Sequence, residues 1–269
     1  MIKITPDQLT TGDVLLYHGT SFFSKIILAL DGGNYSHAAI VHDGHMTEAL
    51  SNGITENTPA ASTASAKYVD VYRFVKDGAR LGDAAFPVAP LDSAIQAFEN
   101  SPQRYAYEEI LLLALLCSTR KVTAAAHLPG LAMIVRNILE TASDTLAKLI
   151  AAGREPVICS ELVYRCYENS GPNYKLLIRG ADIPDAKALA ATLQPAAAAE
   201  LREIHARAAE FLANYYQAKR IRVTPAAGRG TAAAVAVPAL VEVAAVADFV
   251  TPHDLEASPN LQLIGTLQA

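Results

Sequence analysis

The dipeptide Asp43-Gly44 constrains the fold of this chain more than any other pair of residues. It lies between Ala38–His42 and His45–Leu50, and Asp-Gly suits the two positive φ angles that a tight two-residue turn demands. A β-hairpin follows, and its register follows from the turn. With His42 opposite His45, Ala39 opposes Glu48 and His37 opposes Leu50, so His37, Ala39, Glu48 and Leu50 share one face. His37 and Glu48 become diagonal neighbours, and a carboxylate there can reach an imidazole.

Other elements can be read around that hairpin. Gly12-Asp13-Val14-Leu15-Leu16-Tyr17 reads as a strand, and an apolar helix runs from about Phe22 to Leu30 until Gly32-Gly33-Asn34 breaks it. Tyr68 to Phe74 alternates with period two and predicts another strand. From about Leu91 the period becomes helical, through Tyr105, the Leu-rich run and His127 to Ala152. A further helix starts near Cys159 and stops at Asn169-Ser170-Gly171-Pro172. Asp185 to Ala218 predicts one or two amphipathic helices, Thr224 to Gly230 a loop, and Val235–Val246 and Leu261–Leu267 strands. The expected organisation is one α+β domain over 1–269 with helical insertions at about 91–152 and 173–220.

Composition narrows the classes of function. The chain has 269 residues, enough for one sizeable core, and 22 basic against 27 acidic side chains give a formal charge of −5. With no cluster of Lys and Arg interleaved with aromatics, nucleic acid is not an expected partner. The three cysteines Cys117, Cys159 and Cys166 are odd in number and lack the spacing of a disulfide framework or a zinc site. A reducing compartment fits them. No basic segment followed by an apolar stretch opens the sequence, so the expected location is cytoplasmic, with export by a route other than the secretory signal left open. Ile110–Cys117 is too short to span a bilayer, and the apolar stretch 231–246 carries Pro238 and Glu242. No transmembrane segment is expected.

Cys159 is the residue with the most chemical content. In Pro156-Val157-Ile158-Cys159-Ser160-Glu161 an apolar approach runs into a helical pattern, which puts the thiol in a first turn, where unpaired N–H groups and the helix dipole favour a thiolate. His37 is the matching base, and Glu48 on the same face would fix its tautomer and tilt. Cys117 and Cys166 read as core residues. The turn histidines His42 and His45 are expected to be exposed on the opposite face, and His18, His127, His205 and His253 to lack an acidic or thiol partner. Zinc on His42, His45 and Asp43 is not expected, because the turn spreads those side chains. Phosphate-binding Gly-rich loops and a serine-nucleophile elbow around Ser160 are both absent.

Four motifs in order, Gly12-Asp13-Val14-Leu15-Leu16, Tyr35-Ser36-His37-Ala38-Ala39-Ile40-Val41, Thr47-Glu48-Ala49 and Cys159-Ser160-Glu161-Leu162-Val163, resemble the permuted NlpC-type papain-like cysteine hydrolases, the YiiX-like group. The segment from Val250 to Pro259 is similar to that group's closing segment. The resemblance implies a circularly permuted papain-like α+β core, with an antiparallel sheet packed on the helix of Cys159. Cys159 would be the nucleophile, His37 the base and acid, and Glu48 its orienting residue. Tyr35 would sit at the substrate rim, Asp13 would hold the loop around the site, and Ser160 would border the substrate. No cofactor and no metal are implied. The substrate would be an amide in a peptide or cell-wall fragment, or a lipid acyl ester, since lecithin:retinol acyltransferase-like relatives share the arrangement. A non-catalytic peptide- or lipid-binding module is the remaining reading.

Overall fold

The computed structural model describes residues 2–101, 104–106, 108–119, 131–178, 199–220 and 247–268. Its sheet is built from β1 (Lys3–Ile4), β2 (Val14–Gly19), β3 (His37–His42), β4 (His45–Leu50), β5 (Gly53–Asn57), β6 (Ala66–Lys76) and β7 (Ala79–Arg80), closed by a strand near the C-terminus, Leu261–Leu267. That last strand lies between β1 and β6, and the order continues through β2, β3 and β4 to β5. Every pairing along that path is antiparallel except that of β1 with Leu261–Leu267, so the sheet is mixed. The α+β class expected from the sequence is the class observed.

The hairpin has the expected register. His42 pairs with His45, and Asp43 (φ 46°) and Gly44 (φ 77°) make the turn. The helix α1 (Phe22–Asp31) starts at Ser21, whose hydroxyl accepts the Ser24 amide, and ends at Gly32 in a left-handed conformation (φ 75°). Both are the signals that such residue types give at helix ends.

Alternation along the strands sorts the sheet into two apolar faces. Val14, Leu16, Ala38, Ile40 and Phe74 join the larger core with the helices, while Leu15, Tyr17, Ala39, Val41 and Val71 form a smaller one with Leu267. After the short α2 (Pro59–Thr63) and after α3 (Ala89–Glu99), one reading needs correction. Arg104–Ala106 is not helical but a strand, β8, pairing in parallel with β9 (Glu155–Val157). Helix resumes in α4 (Glu108–Thr119) and α5 (Leu131–Ala151).

The Cys159 helix, α6, spans Cys159–Asn169, as its capping residues predict, and packs on β3, β4 and α3. Next come α7 (Ala199–Arg220), packed on α5, and α8 (Pro252–Glu256), packed on α6. His127, the loop at 224–230 and the strand expected at 235–246 lie outside the described residues. Among the described residues no helix is long and apolar enough to cross a membrane.

Candidate active site

β3 has a different neighbour at each end. It pairs with β2 from His37 to Ile40 but with β4 only from Ile40 to His42, so the ladder between β3 and β4 is open beside His37. Val41 donates its amide to Asp13 on the β2 side. Amides alternate along a strand, which directs the Ala38 N–H toward β4.

Cys159 occupies that opening. The backbone amides of Ala38, Ser160 and Cys159 stand near enough to its sulfur to favour the anion. A sulfur at the first turn of a helix gathers such donors because helix-initial N–H groups have no intrahelical acceptor. Glu161 steadies the same turn from inside, its carboxylate accepting the Ile158 amide at 3.4 Å. Ala38 joins the larger core together with Cys159, whereas its neighbour His37 turns to the opposite face of the sheet, so the sequence expectation that sulfur and imidazole face each other is not met by the strand's alternation.

The His37 ring lies on the smaller-core face, 4.9 Å from the ring of Tyr17. An ionised carboxylate only accepts, so His37 Nε2–H donates to Glu48 Oε2, at 2.9 Å. The expected diagonal contact is present. Glu48 is buried, and its second oxygen accepts from Asn57 Nδ2 at 3.2 Å. Ser62 also bonds Glu48 and lies 2.6 Å from the Tyr17 hydroxyl, so Tyr17, Ser62, Glu48 and His37 form a continuous polar chain. Burial raises the Glu48 pKa, but the hydrogen bond and charge of His37, helped by Ser62 and Asn57, leave it below the usual carboxylate value. These groups line a cavity of about 350 Å³ that Ser36 and Leu50 also border.

The ionisation expected for Cys159 is overturned. The sulfur has no solvent exposure, and burial pushes the thiol up to about 12 despite the three amides and the Ser160 side chain that favour the anion. Desolvation outweighs the helix end. At rest the group is a thiol. Cys117 is raised to about 12 by burial as well, and Cys166 is buried in α6, as their core reading implies.

The three accessory residues have other surroundings. Tyr35 is not at a rim but buried, donating its hydroxyl to Asp70 at 2.7 Å and lying 3.1 Å from the Tyr72 hydroxyl; burial and these partners raise its pKa. Ser160 does not face a substrate space, since its hydroxyl is buried and donates to the Val250 carbonyl at 2.6 Å. Asp13 holds a loop, as expected of it. Its carboxylate takes Arg73 Nε at 2.7 Å and Nη2 at 2.6 Å, and the Thr10 amide at 2.9 Å.

Two histidine readings are also corrected. His42 is buried, not exposed, because α3 packs over the end of β3 and brings Asp92 and Glu99 to its two nitrogens. His253 has an acidic partner after all, with Nδ1 3.3 Å from Glu256. Residues that the sequence did not single out complete the site. Asn57 and Ser62 reach Glu48 from β5 and α2, with Tyr17 of β2 behind Ser62, and the two-residue spacing of Tyr17 from Leu15 is the one signal of its side.

No protein-family model, no curated protein and no solved structure matches this chain.

Proposed function

We propose that the protein is a cysteine hydrolase of amide bonds, peptide or cell-wall in type, with a permuted papain-like arrangement of Cys159, His37 and Glu48. The observation that carries this reading is the seam between β3 and β4. The helix-initial sulfur packs beside the Ala38 amide there, and the adjacent residue of β3 carries an imidazole already anchored to a buried carboxylate. The four ordered motifs support it independently.

Each group has a role in the reaction. Glu48 fixes the hydrogen on His37 Nε2, so the neutral ring carries its lone pair on Nδ1. For turnover the His37 ring has to reach round the start of β3 from the Tyr17 side to the Cys159 side, where it would take the thiol proton as the sulfur attacks the acyl carbon and the Cys159 amide would help hold the oxyanion. His37 then protonates the leaving amine, and water attacks the thioester to release the acid and restore the thiol. Because the resting sulfur is neutral and covered, proton removal accompanies substrate entry instead of preceding it.

A second reading draws on that same burial. A sulfur with no exposure suits a binding module whose polar cavity holds a peptide or lipid group without bond cleavage. Incubation with muropeptides and with phospholipids, followed by mass spectrometry, separates the cases. Peptide or amine products made by the parent chain and lost in Cys159→Ala support the amidase. Fatty acid release lost in that variant transfers the chemistry to lipid esters, and substrates that both proteins bind and leave intact support the binding module.

A further inference from the structure

At the far end of β3 from His37, a second histidine is surrounded by carboxylates. His42 is 6% exposed, and its Nδ1 lies 2.9 Å from Glu99 while Nε2 lies 3.1 Å from Asp92. Glu99 is itself held by the Thr47 hydroxyl, which donates to the same oxygen at 2.6 Å. Asp43, at the hairpin turn, adds a third acid, and one ligand atom each from His42, Asp43 and Asp92 falls within 4.8 Å of the other two.

A neutral imidazole cannot satisfy this environment. It has one N–H, so one nitrogen must turn its lone pair toward a carboxylate that also only accepts. A cation at Nε2 removes the conflict, and two cations are available in general: a proton or a metal ion.

We propose that His42 Nε2, Asp92 and Asp43 form a binding site for a divalent transition-metal ion such as Zn²⁺. Glu99 is the outer carboxylate that holds His42 Nδ1–H and orients the ring, the usual partner of a metal-bound histidine. Zinc accepts such nitrogen and carboxylate ligands at about 2.0–2.2 Å, with water completing the tetrahedron. The ligand atoms would draw closer together than they stand, and Asp43 is exposed and has the freedom to move. The ion would clamp the hairpin turn to α3. It would take no part in chemistry at His37, which lies five residues, or about 17 Å of strand, away.

The site is tested on the full chain after treatment with a chelator. Zn²⁺ alone is titrated by calorimetry at pH 7.5, with thermal unfolding followed in parallel. One equivalent bound in the micromolar range or tighter is expected, with a rise in the unfolding midpoint. Asp92→Asn and Asp43→Asn change partly or fully exposed side chains and keep the fold, and each should weaken binding at least tenfold. Glu99→Gln should weaken it about 10- to 100-fold while keeping the stoichiometry. Absence of saturable binding below 100 μM would overturn the proposal. So would undiminished binding in the two aspartate variants, which would move the ion to other ligands.

Discussion

The backbone amide of Ala38 stands near the sulfur of Cys159 and favours its anion, where the first turn of α6 packs against the strand that carries His37. One contact thereby sets the position of the proposed nucleophile along β3. It also places the sulfur where solvent does not reach, and that has a measurable effect on its reactivity.

With the thiol pushed up to about 12, its thiolate fraction at pH 7 is about a thousandfold below that of a free cysteine. Iodoacetamide should therefore label Cys159 slowly at neutral pH, and the rate should climb about tenfold per pH unit through pH 9. Peptide mapping by mass spectrometry measures this. Rapid labelling at pH 7 would mean a preformed thiolate and would contradict the account of burial given above.

Glu48→Gln removes the negative charge that holds the His37 hydrogen while retaining shape. Turnover should fall by about 10²–10⁴, the range spanned by general acid–base contributions, with the KM of a cleaved substrate little changed. Steady-state kinetics at fixed pH reads this split.

The same residue gives stability a pH dependence. A carboxylate whose folded pKa is depressed binds protons less readily in the native state, so its contribution is full above the ordinary Glu range. That contribution is lost as pH falls through the depressed value. Urea unfolding should show parent and Glu48→Gln differing most near neutrality and converging below about pH 4. A gap that widened on acidification would contradict the assigned direction.

Arg165 is buried on α6, donating Nε to Glu161 at 2.6 Å and Nη2 to Asp248 at 2.5 Å. Lys219 joins the network from α7, with Nζ 2.6 Å from Glu161 and bonded to the Pro156 carbonyl. Arg165→Met leaves buried acids short of a cation, and a loss of about 3–5 kcal/mol is expected in equilibrium unfolding. The damage falls on both sides of Cys159, since Pro156 and Glu161 flank it.

Gly12 has φ +92°, and a Cβ there would stand 2.2 Å from Leu81 and 2.6 Å from Leu91. Its carbonyl also accepts the Tyr167 hydroxyl. Gly12→Ala should cost roughly 1–3 kcal/mol, read from the shift in denaturation midpoint at unchanged slope.

What could be read in the residues was local. Asp43-Gly44, Ser21 with Gly32, and the start and stop of α6 each carry their geometry in a few neighbouring side chains, and each element formed where those signals stand. The His37–Glu48 contact was legible because it follows from the turn alone. Pairing of Arg104–Ala106 with Glu155–Val157 was not, because its partners are some fifty residues apart and neither run alternates. Burial of His42, Tyr35 and Ser160 depends on which element packs over them, a property that no short window contains. The ionisation of Cys159 is not legible for a related reason. Helix position is written in the sequence, whereas the depth of the helix beneath its neighbours is not.

The Asp43-Gly44 turn has one further consequence. A slip of a single residue between β3 and β4 would turn His37 and Glu48 toward opposite sides and carry His42 away from α3, because side chains alternate with period two. Both polar clusters therefore vote against every misaligned hairpin, and lengthening the turn by one residue should leave a protein that still collapses but has its two histidines facing the wrong halves of the molecule.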